Sequence, residues 1–149
     1  NSTAMVDRPA TFELSAYSRE RWRVPPGDMV TDYLLRDLRH AGGFKAVLGY
    51  DDGGEGRYGL NGTVVEFLEV DGNGGPGARL SVDATLLDNS QREITKRVVF
   101  QKTYAVEEAM KDKSARALAE AMSRALKRFS GELAADIRRA VGTRSAQAP

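Results

Sequence analysis

The apolar residues change their period partway along the chain, and that change restricts the fold more than any other feature. Leu118, Met122, Leu126, Phe129, Leu133, Ile137 and Val141 follow one another in steps of 4, 4, 3, 4, 4 and 4. Such spacing puts all of them on one stripe of an α-helix. Upstream, Leu80, Val82, Ala84 and Leu86 alternate with Ser81, Asp83 and Thr85, the period of a strand with one buried and one wet face. A chain that must bury both a helical stripe and the dry face of a sheet does so by laying one across the other. A helix of about 30 residues runs about 45 Å. A 149-residue domain has a radius of gyration of about 15 Å, so the helix must project or bend, with Ser130-Gly131 as the natural hinge.

The rest of the chain supplies the sheet. Residues 11–17 alternate and read as a first strand. The pair Pro25-Pro26 then bars a helix through those positions. A helix fits from about Asp28 to His40, with Met29, Tyr33 (or Leu34), Leu35 and Leu38 near helical spacing and Ala41-Gly42-Gly43 as its stop. Residues 44–48 form a short strand candidate. Residues 58–70, 80–86 and 94–104 are rich in β-forming residues, with Val98 and Phe100 expected inward, and polar turns at 71–77 and 88–91 separate them. Three such strands read as an antiparallel meander. Asn61-Gly62 is expected to form a bulge within one long strand, because a turn there would strand residues 58–60 as a stub. The expected architecture is an α+β single domain in the order β-α-β-β-β-β-α, with two helices on one face of a mostly antiparallel sheet of about five strands. Residues 1–9 read as a cloning remnant and flexible leader, 10–141 as the domain, and 142–149 as a disordered tail.

Little in the chain can support catalysis. There is no cysteine and one histidine, His40, so cysteine nucleophiles, zinc ribbons and multi-histidine metal sites are excluded. No serine stands in a nucleophile-elbow context. Glu66, Glu69 and Asp83 lie on candidate strands, but alternation turns most of them to the wet face, leaving no positioned pair for acid/base work. The run Gly72-Asn73-Gly74-Gly75-Pro76-Gly77 has the glycine density of a phosphate loop, yet a strand follows it where such loops need a helix N-terminus. It reads as a hairpin loop. Asp51-Asp52-Gly53-Gly54-Glu55 lacks the spacing of a calcium-binding loop and reads as a solvated acidic turn. His40 belongs at a helix C-terminus, where an imidazolium gains from the dipole. No catalytic residue, metal or cofactor is expected.

Net charge is +1, too balanced for a dedicated nucleic-acid binder. The distribution is less even. Residues 50–93 carry nine acids against three arginines, net −6, while residues 111–144 carry nine bases against four acids, net +5. The C-terminal helix therefore either caps an acidic sheet or offers Arg116, Arg124, Lys127, Arg128, Arg138 and Arg139 to anionic headgroups or an acidic partner. Trp22, between Arg21 and Arg23, reads as a core anchor at the helix entrance, with an interface aromatic as the other reading.

The order Arg21-Trp22-Arg23-Val24-Pro25-Pro26-Gly27-Asp28, then Leu34-Leu35-Arg36-Asp37-Leu38, then Gly43-Phe44-Lys45-Ala46-Val47 resembles the ABC-type transport auxiliary lipoprotein family of Gram-negative bacteria. The resemblance continues through Leu60-Asn61-Gly62-Thr63-Val64, Phe67, Leu86-Leu87-Asp88, Val98-Val99-Phe100 and the helix over 115–141, covering about residues 10–141. Trp22, Pro25, Pro26, Phe44, Leu60, Gly62 and Phe67 match the family pattern, chiefly as structural residues. The resemblance implies a non-enzymatic envelope component anchored in the outer membrane, facing the periplasm, through an N-terminal lipid-modified cysteine absent from this sequence. It also implies an MCE-domain periplasmic partner with its inner-membrane permease and ATPase, moving phospholipids or other apolar molecules. The competing expectation is an envelope regulatory module, similar to the lipoprotein activators of cell-wall synthases or the N-terminal domain of the Tol-system propeller protein.

Overall fold

The computed structural model describes the backbone at residues 2–5, 10–16, 26–40, 47–49, 57–72 and 74–147, and side chains at 26–40, 57–72 and 74–143. In chain order the elements are β1 (Ser2–Met5), β2 (Ala10–Ala16), α1 (Pro26–His40), β3 (Val47–Gly49), β4 (Tyr58–Gly72), β5 (Gly75–Asp88), β6 (Val98–Ala109) and α2 (Ala115–Gln147). The strands form one six-stranded sheet in the order β3-β1-β2-β4-β5-β6. All neighbours pair antiparallel except β2 and β4, which run parallel from Ala10↔Tyr58 to Ala16↔Val64. The α+β class, both helices and the β4-β5-β6 meander are as expected.

Three differences have local causes. Ser2–Met5, read from the sequence as a leader, forms β1 and pairs with both β2 and β3; such pairing rests on backbone groups and leaves no apolar pattern to read. Among the described residues the sheet therefore has six strands where about five were expected. The bulge in β4 falls between Val64 and Glu66, not at Gly62. It reverses the alternation, so that Val64 and Phe67 lie on the same buried face. A second register shift, between Leu86 and Leu87 opposite Val98 and Phe100, leaves Val98 48% exposed, whereas inward packing was expected.

At the β4-β5 turn the ladder runs out to Gly72↔Gly75, so the expected loop shrinks to two positions. Gly75 adopts φ +109°, which an L-residue with a Cβ avoids. At the other end of β5, Ile94–Lys96 forms a 3-10 turn before β6 begins.

α1 begins with Pro26, where the missing N–H costs nothing. It carries Asp28 in its first turn and Arg39 and His40 in its last, matching the helix dipole. Val30, Leu34 and Leu38 are buried at i, i+4 spacing. The N–H of Ala117 donates to the Ser114 hydroxyl at 3.0 Å, the capping bond that starts α2. α2 then runs unbroken for 33 residues, about 50 Å, past the position where the sequence reading ended it. Of the predicted stripe all but Leu118 are buried, and Ala117, Ala121, Ala125 and Ala134 join them. One core results, formed by α1 and α2 against Tyr58, Leu60, Val64, Phe67, Leu80, Val82, Leu86, Tyr104 and Val106 of the sheet.

Candidate functional site

α2 runs antiparallel to β6, the terminal strand of the sheet, and its flank decides what the basic residues do. The Arg124 guanidinium donates to Glu108 at 3.3 Å and to the Ala109 carbonyl at 2.6 Å. Arg128 donates to the second oxygen of Glu108 at 2.5 Å and to the Glu107 carbonyl at 3.3 Å. The hydrogen bond from Arg128, more than its charge, holds the Glu108 carboxyl below its ordinary range. Arg116 pairs with Glu120 one turn on. Arg139 pairs with Asp136, while Lys127 and Arg138 are exposed. The six candidate cations thus do not form one free basic face. Two of them hold the helix to the end of β6, which is the capping arrangement the charge division allowed.

Those two arginines also define the open part of the sheet edge. Met110 donates its N–H to the Pro76 carbonyl, so in the register of β5 and β6 the even residues of β6 bond to β5 and the odd ones face away. The outward carbonyls of Glu107 and Ala109 are taken by Arg128 and Arg124. Among the described residues no strand pairs with the stretch carrying those of Gln101, Thr103 and Ala105, which is bounded on its other side by the register shift at Val99. Edges of this kind accept an added strand.

Beside this stretch lies a groove of about 570 Å³ between β6 and the last turns of α2, lined by Val99, Phe100, Lys102, Asp136, Arg139 and Ala140. Asp136 organises it. Its Oδ2 accepts hydrogen bonds from the Tyr104 hydroxyl at 2.6 Å and the Lys102 ammonium at 2.9 Å, and its Oδ1 accepts one from Arg139 at 3.2 Å. Burial alone would raise the Asp136 carboxyl, but these donors and the charges of Lys102 and Arg139 outweigh it and the carboxyl titrates below its ordinary value. Burial, reinforced by the bond to Asp136, keeps the Tyr104 phenol protonated far above its usual range. The Tyr104 ring packs edge-on against Phe129, centroids 5.4 Å apart. Of the charged and hydroxyl groups in this groove, only Arg139 was singled out from the sequence; Val99 and Phe100 were read there as strand residues. Asp136 carries no sequence signal, because only the packing of α2 on β6 brings it to Lys102 and Tyr104.

A second cleft, apolar and about 300 Å³, lies where α1 meets the first half of α2 and is lined by Met29, Phe67, Leu118, Met122 and Leu126 among others. Of the family-pattern residues, Pro26, Leu60 and Phe67 are buried and Gly62 is half-buried. Trp22, Pro25, Phe44 and the 51–55 loop lie outside the described residues. His40 is exposed at the end of α1. Among the described residues no group of three or more His, Asp or Glu is placed to hold a metal ion, and no helix is long and apolar enough to cross a membrane.

A family model described as ABC-type transport auxiliary lipoprotein component matches residues 1–134. The chain belongs to this family. The ABC-type transport auxiliary lipoproteins thereby set its context: a lipoprotein associated with a transporter. No curated protein matches the chain. Solved structures share its fold. A Xanthomonas campestris protein of the DUF330 family aligns with a TM-score of 0.69 at 21% identity, covering 92% of this chain and 85% of its own. A hypothetical protein from Chlamydia trachomatis aligns with a TM-score of 0.65 at 10% identity, covering 87% and 93%. PelC from Paraburkholderia phytofirmans, described as a dodecamer, aligns with a TM-score of 0.55 at 20% identity, covering 79% and 81%.

Proposed function

We propose that this auxiliary lipoprotein serves an ABC-type system that moves phospholipid between the membranes of the envelope, acting without catalysis by docking an MCE-domain partner. In this reading it faces the periplasm, held at the outer membrane by a lipid-modified cysteine outside the present sequence. The partner's complex includes the inner-membrane permease and ATPase. Family membership over residues 1–134 carries the reading. The uncovered edge of β6 supports docking as the mode of action, since added strands gain affinity from main-chain hydrogen bonds that need no pre-existing pocket. The test is capture of the MCE-domain protein encoded beside this gene by the immobilised chain. Micromolar capture that is lost in Ala105→Pro is the expected result. Absence of capture at high micromolar concentration overturns the docking reading.

A further inference from the structure

Lys102 and Arg139 enter the β6–α2 groove from opposite walls, one from the strand and one from the helix, and a single carboxylate holds both. Among the described residues each cation gives Asp136 one hydrogen bond. The Lys102 ammonium also lies 4.9 Å from the Tyr104 ring centroid, but a lysine ammonium has three donors and an arginine five, so further N–H groups remain for a ligand. Asp136 is 15% exposed, while Lys102 and Arg139 are 51% and 75% exposed: the anion sits in the wall and the cations stand at the mouth. Asp136 has both oxygens engaged by three donors, so it acts on the cations as a tether that fixes where they point. Paired cations fixed in this way suit an oxyanion with several acceptor oxygens. Glu132, one turn before Asp136 and exposed, flanks the site, and Gln101 and Thr143 complete its rim. Next to the cations the lining is apolar, from Val99, Phe100 and Ala140. The groove's volume is within the range of small-molecule sites.

We infer that this groove binds a phosphate diester carrying an apolar chain, with the phosphate between Lys102 and Arg139 and the chain on Val99, Phe100 and Ala140. The inference deepens the lipid-transport reading and rests on it for the choice of an amphiphile, but its test needs no transport partner. A failed titration and a failed capture of the MCE-domain protein are therefore told apart.

The isolated chain, labelled with ¹⁵N, is titrated separately with monomeric dihexanoyl phosphatidylglycerol, inorganic phosphate and octyl glucoside while its amide resonances are followed. The lipid should shift amides over 98–102 and 136–143 and bind at least about tenfold more tightly than either other probe. Arg139→Gln should weaken the lipid about tenfold, the worth of one charge-assisted hydrogen bond, without moving the thermal midpoint. Lys102→Gln should weaken the lipid to a similar extent and serves as the second variant. Equal binding of octyl glucoside makes the groove an apolar cleft only, and equal binding of inorganic phosphate makes it a free-anion site; either overturns the inference. So does lipid binding that both variants leave intact, or shifts confined to the cleft around Met29 and Leu118.

Discussion

Asp88 is the most demanding single residue in the described structure. Its side chain is fully buried, yet it is ionised, because Arg57 meets both of its oxygens at 3.2 Å while Ser90 supplies its N–H and hydroxyl at 3.0 and 2.6 Å. Burial pushes this carboxyl up, and the bonds from Arg57 and Ser90 more than reverse the push, leaving it far below the ordinary range. The network pins the end of β5, whose Asp88 N–H donates to the Arg97 carbonyl, and so fixes where β6 begins. Asp88→Asn keeps the shape and loses the charge-assisted bonds, at a cost of about 2 kcal/mol. For a chain of this length that lowers the thermal midpoint by roughly 4–8 °C. The depressed folded-state value means that this stabilisation is complete above the unfolded carboxyl's value of about 3.9 and is lost as pH falls below it. Thermal melts of both proteins should differ fully at pH 6 and converge toward pH 2. A gap that does not narrow with acid contradicts the assignment.

At the scale of the element, α2 shows how a residue with two sequence readings is resolved by its surroundings. Ser130-Gly131 looks like a hinge in a helix that is too long for its domain. The helix continues through it, Ser130 is buried, and its hydroxyl donates to the Asp37 carboxylate of α1. The Ser130–Asp37 hydrogen bond therefore joins the two helices. Gly131 contributes nothing comparable: it is exposed, and a Cβ built there meets no atom within 4 Å. Gly131→Ala should stabilise by about 1 kcal/mol, the helix-propensity difference, and raise the midpoint by about 2–4 °C. A drop in the midpoint on calorimetry would show that the helix needs flexibility there.

Only the whole sheet reveals that, among the described residues, β6 has an unpaired side, and the parity of its ladder makes this testable. Ala105 turns its N–H away from β5, whereas Val106 pairs with Leu80 and is buried. Ala105→Pro should leave the midpoint nearly unchanged. Val106→Pro removes a ladder bond and should cost about 3 kcal/mol or more. Equal losses on denaturant titration would refute the assigned parity. The same large-scale view changes the meaning of the charge division. Arg124 and Arg128 of α2 pair with Glu108 of β6, Lys102 of β6 pairs with Asp136 of α2, and Lys113, just before α2, pairs with Asp71 of β4. Two of the helix's exposed cations, Arg124 and Arg128, are thus engaged in holding it to the sheet. What was legible in the sequence was periodic: the α2 stripe, the strands of the meander, the first helix, and the family pattern at Pro26, Leu60, Gly62 and Phe67. Burial imposes that periodicity on every residue of an element, so it survives without knowledge of neighbours. The parallel pairing of β2 with β4, the bulges that return Phe67 to the core and turn Val98 out, and the meeting of Asp136 with Lys102 and Tyr104 leave no such trace. Each depends on which backbone lies alongside which, and that was decided by tertiary packing. The sequence by itself determined a helix-on-sheet domain, because composition and period act locally. The groove and the open edge were decided only when α2 settled along β6 and divided its cations between clamping the strand and facing solvent.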